Sequence, residues 1–234
     1  MRDEINLEPL DIIQLISIIE LFIASGIACI LSLFIYKKNS EKPARVTFNF
    51  ALNFTLVSLA LACVAIDRIL FTYLPDPIPG LVFHNIAVFA SLSVIFLLDT
   101  FAFEMTYPKH VTKLGILFGI LLLIAGIILL FNQPTIGAQQ ELLYSDLLLV
   151  LILPLMTLPM LIPTFIFFIY AFKVRDESIP KSNRALIMGL AAIIVIIGYL
   201  FELMGMTGLI VIIVRFAFVI YTLLMYFAFT KRWE

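Results

Sequence analysis

Five charged residues stand inside otherwise apolar stretches of this sequence. They are Glu20 in "ISIIELFIASG", Asp67 and Arg68 in "ACVAIDRILFTYLP", Glu202 in "GYLFELMG" and Arg215 in "IIVRFAFVIY". An ionised side chain at the centre of a bilayer costs about 2.5–3.5 kcal/mol on the milder scale. Each one therefore needs a partner, water or a task. Three acids and two arginines can act as ion pairs that fix helix order, as an outward-facing ligand or proton site, or as contacts to another subunit. Adjacent helical residues point about 100° apart, so Asp67 and Arg68 are expected to find separate partners. Glu20 and Arg215 share a depth on the first and last spans and are expected to pair. Arg68 then turns to Glu202, to the neighbourhood of Asp67, or to both.

A second polar group is expected nearer the cytoplasmic face. Asp99 on the third span lies near the depth of Asn53 on the second. Together they read as an interhelical hydrogen bond or as an inner lock coupled to that face. Burial raises a carboxylate's pKa, so an aspartate beside an amide can be neutral. Glu104, at the end of the third span, is expected to pair with a loop lysine.

Other chemistries lack their residues. The two histidines, His84 and His110, fall at opposite ends of a span, which leaves no bis-histidine haem site and no histidine/cysteine zinc site. The last span has no lysine for a retinal Schiff base. There is no glycine-rich phosphate loop and no serine–histidine pair in one leaflet. Enzymatic activity, a metal and a cofactor are not expected. Nor is nucleic acid a partner, since the net charge is -1.

The elements that must position these charges are membrane helices. Of 234 residues, 63% are hydrophobic and 13% charged, and mean hydropathy is +1.13. Soluble domains average about 45–50% and about 25%. Seven apolar runs have the length of about 20 residues that a helix needs to cross a bilayer. Their limits are 12–36, 47–73, 80–106, 111–131, 147–172, 184–203 and 208–230. They do not alternate as barrel strands would. The expected fold is all-α, a seven-transmembrane-helix bundle in one domain with short loops. Lysine and arginine fall in "YKKNSEKPARV", "YPKHVTK", "FKVRDESIPKSNR" and "TKRWE". The intervening "YLPDPIPG", "NQPTIGAQQELLYSD" and "ELMGMTG" have none. By the positive-inside rule the N-terminus is outside and the C-terminus cytoplasmic, in the cell membrane. The acidic start "MRDEINLEPLD" lacks the basic region and cleavage site of a removable signal peptide.

Several packing features follow. Asp11, Gln14, Ser17 and Glu20, then Ala24, Ser25 and Ala28, form a polar-then-small stripe that must face protein. Gly115 and Gly119 make a GxxxG surface, for packing within the bundle or for a dimer. Pro154, Pro159 and Pro163 each remove a donor and can kink the fifth helix, as a hinge or as plain structure. Cys29 and Cys63 differ in depth by about nine residues, about 13 Å at 1.5 Å per residue. That is too far for a disulfide, so two free thiols are expected.

The segments "YKKNSEKPARVTFNFAL", "FAFEMTYPK" and "KSNRALIMGLAAII" resemble the seven-transmembrane N-terminal region of some prokaryotic histidine kinases and its stand-alone relatives. The resemblance spans nearly the whole chain. It implies a sensor or receptor-like membrane module; the chain departs from the family's usual form in that no output domain is expected after "TKRWE", so it would signal through a separate cytoplasmic protein. Two other readings stay open: a hydrophobic scaffold subunit contacting other membrane subunits, and a carrier of protons or small solutes. Inverted repeats of the transporter kind are not evident.

Overall fold

A computed structural model describes residues 12–74, 76–136, 142–205 and 208–230. Asp11, and the tail residues Lys231 and Arg232, lie outside the described residues. The helices are α1 (Ile12–Glu41), α2 (Arg45–Tyr73), α3 (Ile78–Thr106), α4 (Val111–Phe131), α5 (Asp146–Val174), α6 (Ile179–Leu203) and α7 (Leu209–Thr230). All seven contain stretches long and apolar enough to cross a membrane. The chain is a multi-pass bundle of the kind the apolar runs require. A two-residue antiparallel pair, β1 (Thr135–Ile136) with β2 (Leu142–Leu143), closes the α4–α5 connection. It is the one departure from all-helical structure among the described residues.

Observed helix ends follow backbone chemistry more than hydropathy. α1 runs five residues past its apolar run, and α6 starts five residues before its own. Polar residues can extend the hydrogen-bonded ladder into the interface. For α6 the start is set by Ser178, whose Oγ accepts from the Lys181 backbone N–H at 3.5 Å, with Pro180 in the first turn. Ser145 caps α5 in the same way, accepting from Leu148 N–H at 3.3 Å. α5 continues as one helix through Pro154, Pro159 and Pro163.

Six helices form a ring. α1 packs on α2 and α7, α2 on α3, α3 on α5, α5 on α6, and α6 on α7, while α4 lies outside against α3 and α5. Serine pairs bring α1 close to α2. Ser25 Oγ donates to the Ser58 carbonyl at 2.9 Å, and Ser32 Oγ donates to the Ala51 carbonyl at 2.9 Å. Ser17, Ala24, Ser25 and Ala28 are all buried, so the small stripe does face protein.

The two ends of the bundle differ in charge. One carries the α1–α2, α3–α4 and α5–α6 connections and is lysine-rich. The other carries the remaining three and is lysine-poor. At the lysine-rich end, Lys38 Nζ donates to the Phe229 carbonyl at 3.3 Å, tying α1 to the last turn of α7. Phe50 stacks edge-on against Phe101 at 4.2 Å and Phe229 at 4.8 Å between centroids, joining α2, α3 and α7. Both cysteines are free.

The glycine surface on α4 is not a tight seam. A Cβ on Gly115 would meet nothing within 4 Å, and one on Gly119 only the Phe96 ring at 3.2 Å. The close approach lies a turn or two further on. A Cβ on Gly126 would come within 2.9 Å of Leu92 Cδ1 and 3.2 Å of Phe89. The reason is the peripheral place of α4. It has neighbours on one side only, so the first GxxxG glycine faces outward.

Candidate functional site: a buried charge network at the lysine-poor end

Four of the five intramembrane charges meet at one level. Asp67 and Arg68 arrive on the last turns of α2, Glu202 on the last turn of α6 and Arg215 on the second turn of α7. The α6–α7 turn makes the last approach possible. Gly205 and Gly208 flank it at φ of 63° and 67°, a region that only glycine enters freely. At the head of α3, a Cβ on Gly80 would run into the Phe71 ring. Its absence lets α3 approach α2 closely, one turn before His84.

The Glu202 carboxylate is the hub. Its Oε1 accepts from Arg68 Nη2 at 2.9 Å and from Arg215 Nη2 at 3.1 Å, and its Oε2 accepts from Arg215 Nε at 3.4 Å. Arg215 also donates from Nη1 to Ser17 Oγ at 2.7 Å, and that hydroxyl donates to the Gln14 carbonyl. The polar stripe of α1 thus enters through Ser17. Asp67 is fully buried. Its Oδ1 lies 3.4 Å from Arg68 Nε and its Oδ2 3.4 Å from His84 Nδ1. His84 Nε2 makes a 2.6 Å hydrogen bond with the Tyr144 hydroxyl in the connection before α5.

Burial pushes the Tyr144 phenol up from its ordinary value, with the Arg68 charge opposing. It is a hydroxyl at neutral pH. The Tyr144 hydroxyl can donate to Nε2 or accept from it, while the Nδ1 side of the ring faces the Asp67 carboxylate. The result is a chain Tyr144–His84–Asp67–Arg68–Glu202–Arg215–Ser17. It ties α1, α2, α3, α6, α7 and the β2–α5 connection at one level. Two acids face two arginines, so the network is formally neutral apart from His84. Such a lattice can hold helices together, and it can pass a local change in charge to several of them at once.

One expected partnership is replaced. Arg215 is not bonded to Glu20. It reaches Glu202 and Ser17 instead, because the glycine turn folds Glu202 back beside it. Glu20 Oε2 is buried with no hydrogen-bond partner among the described residues. Arg68 turns to both Asp67 and Glu202. The arginine stem is long enough for its Nε to come back to the preceding carboxylate while its Nη2 reaches Glu202.

The inner pair is also rearranged. Asn53 Nδ2 donates to the Val94 carbonyl at 2.9 Å rather than to Asp99. Asn53 Oδ1 and both Asp99 oxygens are buried with no hydrogen-bond partner among the described residues. Each residue is 1% exposed. Glu104 pairs with Arg45 at the head of α2, at 3.5 Å, rather than with a lysine. No group of three or more histidine, cysteine or acidic residues that could hold a metal occurs among the described residues.

His84 and Tyr144 are the members that sequence reasoning missed. The signal for His84 is its place at the head of the third span, at the same end of the bundle as Asp67. Tyr144 is one of eight tyrosines, in a loop, and carries none. Comparison of the chain with protein-family models, with curated proteins and with solved structures finds no match.

Proposed function

We propose that this chain is a membrane sensor or receptor-like module whose lysine-poor end faces outside and whose lysine-rich end faces the cytoplasm. One observation carries the reading. A single carboxylate, Glu202, holds both buried arginines, and through them and His84 the network ties five helices at one end of the ring. An event that changes charge or hydrogen bonding there acts on all five together. The helices then carry the displacement to the aromatic contacts and loops at the other end. There a separate cytoplasmic protein reads it, as the resemblance to kinase-linked seven-helix regions implies. A scaffold subunit would be expected to turn its charges toward a partner chain. Here four of the five are engaged within the chain, which favours the sensor reading.

Spin labels test this. In a background with Cys29→Ser and Cys63→Ala, labels are placed at Lys42→Cys and Arg175→Cys, both at the lysine-rich end. The distance between them is measured in nanodiscs with and without Glu202→Gln. A sensor shifts its distance distribution on the order of 1–2 Å or more, the scale of helix shifts in signalling proteins. An unchanged distribution in a folded variant points to a passive framework.

A further inference from the structure

The two acids of the network are served unequally. Glu202 accepts three hydrogen bonds from the two arginines. Asp67, at 0% exposure, accepts none among the described residues. The groups nearest its oxygens both stand at 3.4 Å, Arg68 Nε on one side and His84 Nδ1 on the other. Arg68 is divided between two acids, and Glu202 holds the closer end at 2.9 Å. A buried carboxylate left in this position favours any further positive charge beside it. The His84 imidazole is the group in contact with it that can gain one.

The ring is held in either protonation state. A carboxylate only accepts, whereas a phenol donates or accepts. The neutral ring can therefore meet Asp67 with its N–H and take the Tyr144 hydroxyl proton on its bare nitrogen. The imidazolium donates from both nitrogens, to Asp67 and to the Tyr144 oxygen 2.6 Å away. Only the hydroxyl proton has to turn between the two. Access comes from one side. The His84 side chain is 12% exposed, at the lysine-poor end. Below the network, a cavity of about 80 Å³ between α2, α3, α5, α6 and α7 is lined almost entirely by hydrocarbon, and apolar cavities stay dry.

The ionisable groups around the ring come from several elements. α2 brings Asp67 and Arg68, and the β2–α5 connection brings Tyr144. α6 and α7 bring Glu202 and Arg215 behind Arg68. Glu20 on α1 lies within electrostatic reach of Arg215. Asp76 and Asp146, at the same end, are exposed. Histidine ordinarily changes charge between about pH 5 and about pH 8, and the chain's other histidine, His110, lies at the lysine-rich end.

We propose that His84 is a proton-binding site filled from the lysine-poor side, and that acidification there is the stimulus of this module. The proton comes from hydronium or a protonated buffer and bonds to the bare ring nitrogen; no covalent bond within the protein breaks. The network, neutral before, gains one positive charge. The imidazolium then shares Asp67, and Arg68 is released toward Glu202, which also holds Arg215. One proton thereby acts on α2, α3, α6 and α7. The site names a stimulus for the sensor reading and rests on that reading for the signal alone.

The full chain is prepared in nanodiscs with isotope-labelled histidine, and His110→Gln leaves His84 as the one labelled ring. Its nitrogen shifts are followed by solid-state NMR from about pH 8 to about pH 5. The two nitrogens are expected to converge on imidazolium positions as pH falls. Asp67→Asn should move the midpoint to lower pH by about one unit, because a nearby opposite charge favours the charged form. Where that variant elutes aggregated, Tyr144→Phe should move it the same way by less, since charge-assisted hydrogen bonds are about twice as strong as neutral ones. The spin labels at Lys42→Cys and Arg175→Cys read the signal. Their distance should change over the same pH range and stay fixed in His84→Gln. A ring that remains neutral throughout overturns the site, and a midpoint unmoved in Asp67→Asn or Tyr144→Phe overturns the roles given to those residues. A distance change that persists in His84→Gln overturns the stimulus. A ring that titrates while the label distance stays fixed upholds the site and counts against the sensor reading instead.

Discussion

Glu202 holds two arginines, and that predicts an asymmetry. At N–O distances of 3.1 and 2.9 Å, each arginine attracts the carboxylate by about 5 kcal/mol at an effective dielectric of about 20. Desolvation offsets most of this, so net effects are smaller. Arg215→Leu removes one cation but leaves Glu202 paired with Arg68, and costs about 1.5–3 kcal/mol, the worth of charged hydrogen bonds. Glu202→Leu leaves two buried arginines facing Asp67 alone and costs about 3–5 kcal/mol, the usual penalty for an uncompensated buried charge. With both removed, Asp67 and Arg68 remain as a balanced pair. The double variant should therefore lose less than the sum, by about 1–3 kcal/mol. Unfolding free energies from steric trapping in bicelles measure all three. Asp99→Asn with Arg215→Leu serves as the control, with coupling within about 0.5 kcal/mol, because Asp99 shares no partner with Arg215. Additive losses for Glu202 and Arg215 would refute the hub. So would an Arg215→Leu loss larger than that of Glu202→Leu.

Other outcomes follow from single contacts. Asp99→Asn should leave the melting temperature unchanged or raise it, since neither carboxylate oxygen has a partner to lose; a clear fall would show a bond there. Gly126→Leu should cost about 1–3 kcal/mol by overpacking against Leu92 and Phe89, whereas Gly115→Ala should stabilise α4 by up to about 1 kcal/mol, both read by thermal unfolding. If Gly115 instead forms a dimer contact, Gly115→Leu will shift the mass seen by light scattering. Reporter fusions at Asp76 and Lys42 should report outside and cytoplasm respectively; a cytoplasmic signal from Asp76 would reverse the proposed orientation. Cross-linking from Arg175 in cells should capture a soluble protein, and capture of membrane subunits alone in fixed ratio would favour the scaffold.

The fold was legible because hydrocarbon imposes one rule everywhere. Each run of about 20 apolar residues must be a helix, so seven runs gave seven helices, although polar sequence and caps moved the ends of α1 and α6 by five residues. The charged members of the network were legible for the same reason, since a charge in such a run stands out. Their partners were not. Pairing depends on helix rotation and on turns, and neither leaves a trace in hydropathy. Glu20 and Arg215 match in depth and sit on neighbouring helices, yet a two-glycine turn brings Glu202 to Arg215 first. Asn53 and Asp99 match in depth too, but the amide finds a backbone carbonyl on α3.

Depth matching thus sorts candidates into layers, and rotation within a layer decides the bonds. The same limit hid the cavity. Ala60, Ser91 and Ala192 are unremarkable residues in membrane helices, and only their meeting at one level leaves space. That meeting also orders the bundle along its axis. Paired charges lie at the lysine-poor end, then the cavity, then the unpartnered oxygens of Asn53 and Asp99. A bundle selected only for rigidity would fill the middle and pair the oxygens, because each void and each orphan group lowers stability. Keeping both, directly below a network that ties five helices, leaves the middle of the bundle less tightly held than its lysine-poor end.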